Sequence, residues 1–285
     1  EYRTAVSFDA DRTLQTFVEL EGGGLDTFKM LYQDGLYYPY VWKVRHFQEQ
    51  NPNEMEVWFT PAGKPYSFRQ KLGEDEPGAA LSRDSAFAIA MAGLKDEWSI
   101  NLDEYELVEE SEKTQPGGRV DHSFTYQRSG FSMGENGFLR FNLKVQGDVL
   151  GEYNHYAQVP EAFQRRFSEM RSANDTIAFS ATMAIYVIYV LFGCLVGIFI
   201  LLRQRRVLWK KAMIWGMVVG LFQSLVQLNF MPMMWMDYNT AITTNSFLIQ
   251  IIIQAVFIFL IQSALYTLSF IAAESLTRKA FPNKI

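Results

Sequence analysis

Apolar residues are unevenly distributed along this chain, and their pattern changes near Asp175. After that point come three long runs without a charged residue, at 176–202, 212–236 and 242–273. A helix needs roughly 20 apolar residues to cross a bilayer core of about 30 Å, and each run is long enough. The pattern therefore predicts three transmembrane helices rather than three buried helices of a large soluble core.

The first 160 residues instead alternate short apolar and polar stretches, which is typical of strands and short helices. Helices are predicted from Asp9, through Phe28 and Leu31, and after the capping residue Ser82. Strands are predicted at 38–47, 54–60, 65–72, 105–110, 120–128, 138–146 and 152–158.

This order predicts an α+β domain made of two repeats, each a helical part followed by an antiparallel meander. The repeats would cover residues 1–80 and 81–160, and a juxtamembrane helix at 161–175 would lead into the membrane. The predicted fold is thus an α+β extracytoplasmic domain followed by an all-α membrane region of three transmembrane helices. Domains of the first kind commonly bind proteins or peptides.

Charge follows the same division and predicts the orientation of the chain. Residues 1–175 hold 29 of the 31 acidic residues, whereas residues 176–285 are net positive. The connection 203–211 carries five positive charges, and the connection between the second and third runs carries only Asp237. Because short positive loops stay in the cytoplasm, 203–211 and the C-terminal end are expected there. Residues 1–175 are then extracytoplasmic, the lipid bilayer is a partner, and no nucleic acid is expected.

Glutamines within the predicted spans recur at helical spacing. Gln223 and Gln227 are four residues apart, as are Gln250 and Gln254, and Gln262 follows two turns later. Amide side chains in hydrocarbon require hydrogen-bond partners, so we expect these faces to pack against other helices. The alternative, a substrate or proton path, would require ionisable groups that these spans lack.

The remaining chemistry-bearing residues predict no catalytic or metal site in the N-terminal region. Cys194 is the only cysteine, so no disulfide forms within the chain, and the three histidines lack the short spacing of zinc ligands. The Asp121-His122 pair has no accompanying nucleophile and is interpreted as part of a strand. The glycines at 22–24 lack the context of a phosphate-binding loop and are interpreted as a flexible turn.

Several ordered stretches of the chain carry a family resemblance. They are VWKVRHFQ, EVWFTPAGKPYSFRQKL, LGEDEPGAAL, VDHSFTYQR, GDVLGEYNHYAQVPEAF and AAESLTRKAFP. Together they resemble the long bacterial members of the CPBP family over about Val6 to Pro282. These proteins are intramembrane metalloproteases related to the type II CAAX prenyl endopeptidases.

The resemblance implies a helical protease core in which glutamate and histidine side chains bind a divalent metal, zinc, that activates water. The family signature is a pair of adjacent glutamates followed by an arginine, together with two histidine motifs. Here Glu274 and Arg278 match part of the first motif, Ala273 replaces one glutamate, and no histidine follows His155. Glu274 and Arg278 are thus the candidate catalytic residues, a simple salt bridge is the alternative, and no metal or cofactor ligand is assigned.

Two function classes follow from these patterns. In the first, the chain is the inactive N-terminal portion of a membrane metalloprotease whose catalytic helices lie beyond Ile285, with a further segment before Glu1. Its external domain would recognise a protein or peptide substrate, and its helices would pack against the catalytic helices. In the second, the chain is a non-enzymatic receptor or scaffold. A transporter is a third option, although the spans lack the broken helices and buried charges of transporters.

Overall fold

The computed structural model describes residues 2–98, 100–204, 207 and 209–281, and these form two compact units. The first unit comprises Glu1–Phe167 together with Met236–Ile242. The second comprises Ser168–Trp235 and Thr243–Ile285. The segment Met236–Ile242 therefore folds with the N-terminal unit, although it is flanked on both sides by helices of the second.

The first unit is built on one antiparallel sheet of eight strands. The strands are β1 Tyr2–Ala10, β2 Tyr40–Gln48, β3 Glu54–Phe59, β4 Pro65–Lys71, β5 Tyr105–Thr114, β6 Val120–Arg128, β7 Phe138–Gln146 and β8 Val149–Gln158. Their order in the sheet is β1-β2-β3-β4-β8-β7-β6-β5. Two four-stranded meanders thus meet where β4 pairs with β8, with Phe68 opposite Tyr153 and Arg69 opposite Glu152.

Helices pack at two places in this unit, and each place has its own apolar core. The helices are α1 Arg12–Leu20, α2 Gly24–Gln33 and α3 Arg83–Gly93. One core joins α3 to β6, β7 and β8 through Ala86, Ala90, Leu94, Phe124, Tyr126, Phe141, Leu143, Val145 and Tyr153. The other joins α1 and α2 to the C-terminal strands through Leu14, Phe17, Val18, Leu31, Tyr37, Met133, Leu139, Val159 and Phe163.

Strand alternation gives the sheet one apolar and one polar face. Successive side chains of a strand point to opposite faces, so Phe124 and Tyr126 of β6 reach the α3 core. Asp121 and Thr125 lie on the other face, where Thr125 bonds Asn142 on β7. The face away from α3 therefore carries charged and amide side chains, and it is the polar face of the sheet.

The predicted start of the first helix is wrong, because residues up to Ala10 form the edge strand β1. Asp9 belongs to that strand, and helix α1 begins after Asp11, whose carboxylate accepts from the Leu14 amide at 2.9 Å. The alternation of apolar and polar residues in YRTAVSFDA is a strand signal, and β1 pairs along its whole length with β2. The predicted cap at Ser82 is confirmed, since its side chain accepts from the Ser85 amide.

Three helical segments, which lie mostly within the second unit, are long and apolar enough to cross a membrane, as expected of a membrane protein. The first, Glu161–Arg203, consists of α4 Glu161–Val187, a π-helical stretch Ile188–Val196 and α5 Gly197–Arg203. The second is α6 Trp209–Asn229, followed by the short α7 Met231–Met234. The third lies in α8 Thr244–Ala280.

Helices α6 and α8 pack through a stripe of small residues, not through the predicted glutamine faces. Ala212, Gly216, Gly220 and Ser224 are the buried residues of α6. A Cβ atom on Gly220 would lie 2.9 Å from the Phe259 carbonyl oxygen, which shows how closely the two backbones approach. Small residues permit this approach, and it strengthens van der Waals packing between helices.

Three of the five glutamines do not pack against the helices that the structure describes. Gln223, Gln250 and Gln254 are exposed in this chain, whereas Gln227 and Gln262 are half-buried. The interhelical hydrogen bond comes instead from Ser224, whose hydroxyl donates to the Ala255 carbonyl at 2.9 Å. Helical spacing places the glutamines on common faces. The close contact between α6 and α8 forms instead at Gly216 and Gly220, which have no side chain to separate the two backbones.

Candidate functional site

The polar face of the sheet contains a cavity of about 640 Å3, which we call the polar groove. It is lined by Arg45, Glu54, Glu56, Arg69, Gln70, Lys71, Leu72, Glu74, Lys113, Gln115, Arg119, Asp121, Lys144, Gln146 and Glu152 of the N-terminal part, together with Met236, Asp237 and Tyr238. All these residues belong to the first unit. Both signs of charge therefore line one concave surface, on strands from both meanders.

At one end of the groove, a buried ion pair joins β2 to β3. Arg45 Nε donates to Glu54 Oε2 at 2.7 Å, and both side chains are less than a tenth exposed. Lys71 Nζ on β4 adds a second cation, 3.2 Å from Glu54 Oε1. The neighbouring Glu56 lies 2.7 Å from Lys43 and also accepts from Arg69 at 3.0 Å. Every carboxylate here has two cationic partners.

At the other end, Asp121 is the centre of a buried hydrogen-bond network. Its carboxylate accepts from Arg119 Nε at 2.8 Å and from Gln115 Nε2 at 2.7 Å, and Lys144 Nζ lies 3.6 Å away. Burial acts to raise the pKa of Asp121, but these donors and cations outweigh it and lower the pKa below its ordinary value. Arg119 also donates to the Glu76 carbonyl at 3.0 Å, which fixes the loop after β4.

Glu152 lies in the middle of the groove, on the strand β8 that joins the two meanders. It is opposite Arg69 on β4 and Lys144 on β7. Burial raises its pKa above the ordinary value, although those two cations act in the opposite direction. The carboxyl of Glu152 therefore takes up a proton at a higher pH than an ordinary glutamate does.

Two glutamine side chains of the groove have an amide oxygen that accepts no hydrogen bond. The Oε1 atoms of Gln115 and Gln146 are buried and have no hydrogen-bond partner among the described residues. Each of the two residues is only 6% exposed. A buried carbonyl oxygen without a donor costs free energy, so these two amides are strained points of the groove network.

Part of the groove wall is formed by Met236, Asp237 and Tyr238, which belong to the segment Met236–Ile242 that we call the docked loop. Arg45 Nη1 donates to the Met236 carbonyl at 2.9 Å and to the Tyr238 carbonyl at 2.8 Å. The Gln50 amide donates to the Thr240 carbonyl at 2.8 Å, and the Tyr238 ring lies 5.4 Å from the Phe47 ring. Tyr238 is only 1% exposed. The docked loop is thus part of the sheet domain and shares Arg45 with the groove.

The candidate catalytic residues lie elsewhere, on α8. Arg278 Nε donates to Glu274 Oε1 at 2.7 Å, and both side chains are nearly half exposed. Among the described residues, no group of three His, Cys, Asp or Glu side chains could hold a metal ion. The Glu274–Arg278 arrangement is that of an ordinary i, i+4 salt bridge, and it does not fit a metal centre.

The Asp121-His122 pair is not a catalytic dyad, because its two side chains have separate partners. The carboxylate of Asp121 takes part in the groove network, whereas a His122 ring nitrogen lies 2.9 Å from the Leu81 carbonyl. His122 also stacks on Phe124, on the α3 side of the sheet. Adjacent strand residues point to opposite faces, which separates the two groups.

Sequence reasoning did not identify the groove residues. The available signal was the spacing of charged residues in β3 and β4. Glu54 and Glu56 are two positions apart in β3, and Arg69 and Lys71 have the same spacing in β4. Such alternation places them on one face. The pairing of β4 with β8, which brings Glu152 next to Arg69, has no local sequence signal.

Comparison of the chain with protein-family models, curated proteins and solved structures finds no match.

Proposed function

We propose that this chain is a membrane-anchored recognition protein whose polar groove binds an extended polypeptide segment carrying both signs of charge. The observation that carries the proposal is the groove itself, in which cationic, anionic and amide side chains line one concave face. A peptide's charged side chains complement the alternating cations and carboxylates of the strands.

Occupancy of the groove would be communicated through the docked loop. The loop contributes Met236, Asp237 and Tyr238 to the groove and is bonded by Arg45, which also pairs with Glu54. Along the chain the loop is joined directly to Trp235 and to Thr243, the cap of α8. A ligand that competes for Arg45 or Glu54 would therefore change the restraint on the segment that connects two membrane helices.

The sidedness of the chain and the repeat are part of the same proposal. The positive charge at 203–211 supports a cytoplasmic location for that connection and an extracytoplasmic location for residues 1–175. Two four-stranded meanders of equal strand number support the interpretation as a repeat, although β1 precedes its helices and β5 follows α3.

Impermeant maleimide labelling of intact cells tests the sidedness. Ser111→Cys, exposed on edge strand β5, should react from outside, whereas Lys210→Cys at the start of α6 should react only after lysis. The native Cys194 is buried and would be replaced by serine in both variants. Labelling of Lys210→Cys in intact cells would overturn the proposed orientation.

We further propose, from the CPBP resemblance, that the recognition domain serves an intramembrane metalloprotease and presents substrates to catalytic helices. The exposed glutamines Gln223, Gln250 and Gln254 favour this version over a simple anchor. Amides facing hydrocarbon are costly, so further membrane helices are expected to cover them. Zinc would be bound by residues outside this chain.

The coding sequence after Ile285 distinguishes the protease from a receptor or scaffold. Further apolar spans with a glutamate pair and two membrane histidines would support the protease. A stop codon would leave the receptor or scaffold, with the glutamines covered by a second protein or a second copy.

Peptide binding to the full chain in nanodiscs tests the groove directly. The probes are short extended peptides that contain both Lys and Glu, measured by fluorescence anisotropy against sequence-scrambled and all-neutral sets. The groove variant is Arg69→Gln with Lys71→Gln, because Glu56 then keeps Lys43 and Glu54 keeps Arg45. We expect its affinity to fall about tenfold or more.

The matched control is Lys29→Gln with Lys64→Gln, which removes two exposed cations outside the groove. The control variant should bind like the native chain. Equal losses in the two variants would show that binding follows net charge, and the groove would then not be the site.

A further inference from the structure

A second cavity of the first unit combines aromatic rings with unneutralised carboxylates. It has a volume of about 200 Å3 and lies near the end of the sheet where β1 meets α1. It is lined by Asp9, Ala10, Asp11, Tyr37, Tyr38, Pro39, Val41, Trp58, Tyr66, Ser67, Asn154 and His155. We call it the tyrosine cavity. It shares no lining residue with the polar groove, so an inference about it does not depend on the peptide proposed for the groove.

The charge of the tyrosine cavity is negative. Neither Asp9 nor Asp11 forms an ion pair with a described residue. The one basic side chain of the lining, His155, has its pKa lowered to about 3 by burial and is therefore neutral at physiological pH. The polar groove differs from the tyrosine cavity, because its buried carboxylates are paired with cations.

Three tyrosine rings of the cavity lining pack against one another. The Tyr38 ring lies 5.1 Å from the Tyr66 ring at an angle of 81°, and the Tyr37 ring lies 6.3 Å from it at 73°. Trp58 already has Lys43 and Arg69 within 6 Å of its ring, and the Tyr66 ring is stacked on His155 at 4.8 Å. Tyr38, which is more exposed than Tyr37, is therefore the ring best placed to contact a ligand. Negative ring faces beside carboxylates attract a cation.

The carboxylates favour a cation that needs no hydrogen-bond acceptor. Asp11 Oδ1 accepts from the Leu14 amide and Asp11 Oδ2 accepts from the Tyr37 hydroxyl at 3.0 Å. Asp9 Oδ1 accepts from the Ser7 hydroxyl at 2.7 Å. Three of the four carboxylate oxygens thus already accept a hydrogen bond from the protein, so the pair supplies charge with few free acceptor positions. A primary ammonium would lose hydrogen bonds to water there, whereas a quaternary ammonium has none to lose.

We infer that the tyrosine cavity binds a trimethylammonium group, carried by a small molecule or by a lipid head group. Its volume is below the roughly 300–1,000 Å3 of typical ligand pockets, which suits one small group rather than a larger ligand. Ser67 and Asn154 at its lining offer polar contacts to the substituent that follows the ammonium.

Isothermal titration calorimetry on the full chain in detergent tests this inference. Choline should bind saturably, and its neutral isostere 3,3-dimethylbutan-1-ol should bind at least tenfold more weakly, because it lacks only the charge. Ethanolamine should likewise bind more weakly than choline. Equal binding of choline and the isostere, or no saturable choline binding, would overturn the inference without depending on any variant.

Two substitutions locate the site. Asp9→Asn removes one charge without changing side-chain shape, and Tyr38→Leu removes one half-exposed ring. Each should weaken choline binding about tenfold, whereas Asp34→Asn and Tyr40→Leu outside the cavity should not. Unchanged binding in both site variants would refute the assignment to this cavity.

The source of the trimethylammonium group is decided by comparing choline with dihexanoyl phosphatidylcholine below its micelle concentration. Tighter binding of the phospholipid would identify a lipid head group, and tighter binding of choline would identify a free small molecule. A failure of the groove to bind peptides would leave the choline measurements unchanged. The groove proposal and the trimethylammonium proposal can therefore be refuted separately.

Discussion

Replacement of Arg45 by methionine should release the docked loop from the sheet domain. Arg45 Nη1 is the donor to both the Met236 and Tyr238 carbonyls, at 2.9 and 2.8 Å. Hydrogen bonds from charged donors contribute about 1.5–3 kcal/mol each, and the freed carbonyls regain part of this by binding water. The free energy of local opening should therefore fall by about 3 kcal/mol. Since 1.4 kcal/mol corresponds to a factor of ten, loop amides should exchange roughly 100-fold faster.

Hydrogen exchange with mass spectrometry on the full chain measures this directly. The reporters are the Gln50 amide, which donates to the Thr240 carbonyl, and the amides of Ala241 and Ile242, which bond to Asn239. The substitution also leaves Glu54 buried with only Lys71, which would destabilise the whole domain by about 3 kcal/mol. Local release must be separated from that global effect.

The double variant Arg45→Met with Glu54→Leu makes the separation. Removing both charges of a buried pair is much less costly than removing one, so the melting temperature should recover toward that of the native chain. Loop exchange should nevertheless stay fast. Arg128→Met, which breaks the distant pair with Glu104, is the control and should leave the loop protected. Loop exchange within threefold of native in the double variant would refute the reasoning.

Three further predictions concern the helices, the pH dependence and the groove network. Gly220→Ala should lower the melting temperature in detergent, because the new Cβ would be 2.9 Å from the Phe259 carbonyl oxygen. We expect the free energy of unfolding to fall by about 1–3 kcal/mol. An unchanged melting temperature would contradict the described packing of α6 on α8. Burial lowers the pKa of His155 in the folded state to about 3, whereas the unfolded chain keeps a value near 6.5. The unfolded state therefore binds more protons below pH 6.5. As the pH decreases from 6.5, the free energy of unfolding should fall by up to about 1.4 kcal/mol per pH unit. His155→Gln should flatten that part of the pH profile of thermal unfolding. Asp121→Leu should cost about 3 kcal/mol in thermal unfolding because it leaves Arg119 buried without its carboxylate, whereas an effect below about 1 kcal/mol would show that the network contributes little.

Local sequence signals predicted much of the secondary structure but little of how the strands associate. The strands at 120–128 and 138–146 and the cap at Ser82 follow from alternation and capping chemistry, which depend on neighbouring residues. Strand β1 was missed because it is an edge strand directly before a helix, and its pairing partner lies about 40 residues later. The single sheet depends on the β4–β8 pair, whose sequence separation is about 85 residues.

The candidate site was less predictable than the fold, for a related physical reason. The groove is assembled from side chains that are polar, individually ordinary and distant in sequence, such as Arg45 and Asp121. The docked loop contributes residues near 237 to a domain that otherwise ends near Phe167, and Asp237 was considered only as a loop charge. No periodicity indicates that a connection between two membrane helices folds with the sheet.

The central claim is that the polar groove binds a charged polypeptide and that the docked loop responds to it. The most direct test is hydrogen exchange of the full chain in nanodiscs, with and without the tightest-binding mixed-charge peptide. We predict slower exchange in β3, β4 and β8 and a changed exchange rate in Met236–Ile242, all of them absent in the Arg69→Gln, Lys71→Gln variant. Peptide-dependent changes confined to other strands, or a docked loop that exchanges at the same rate in both states, would contradict the account.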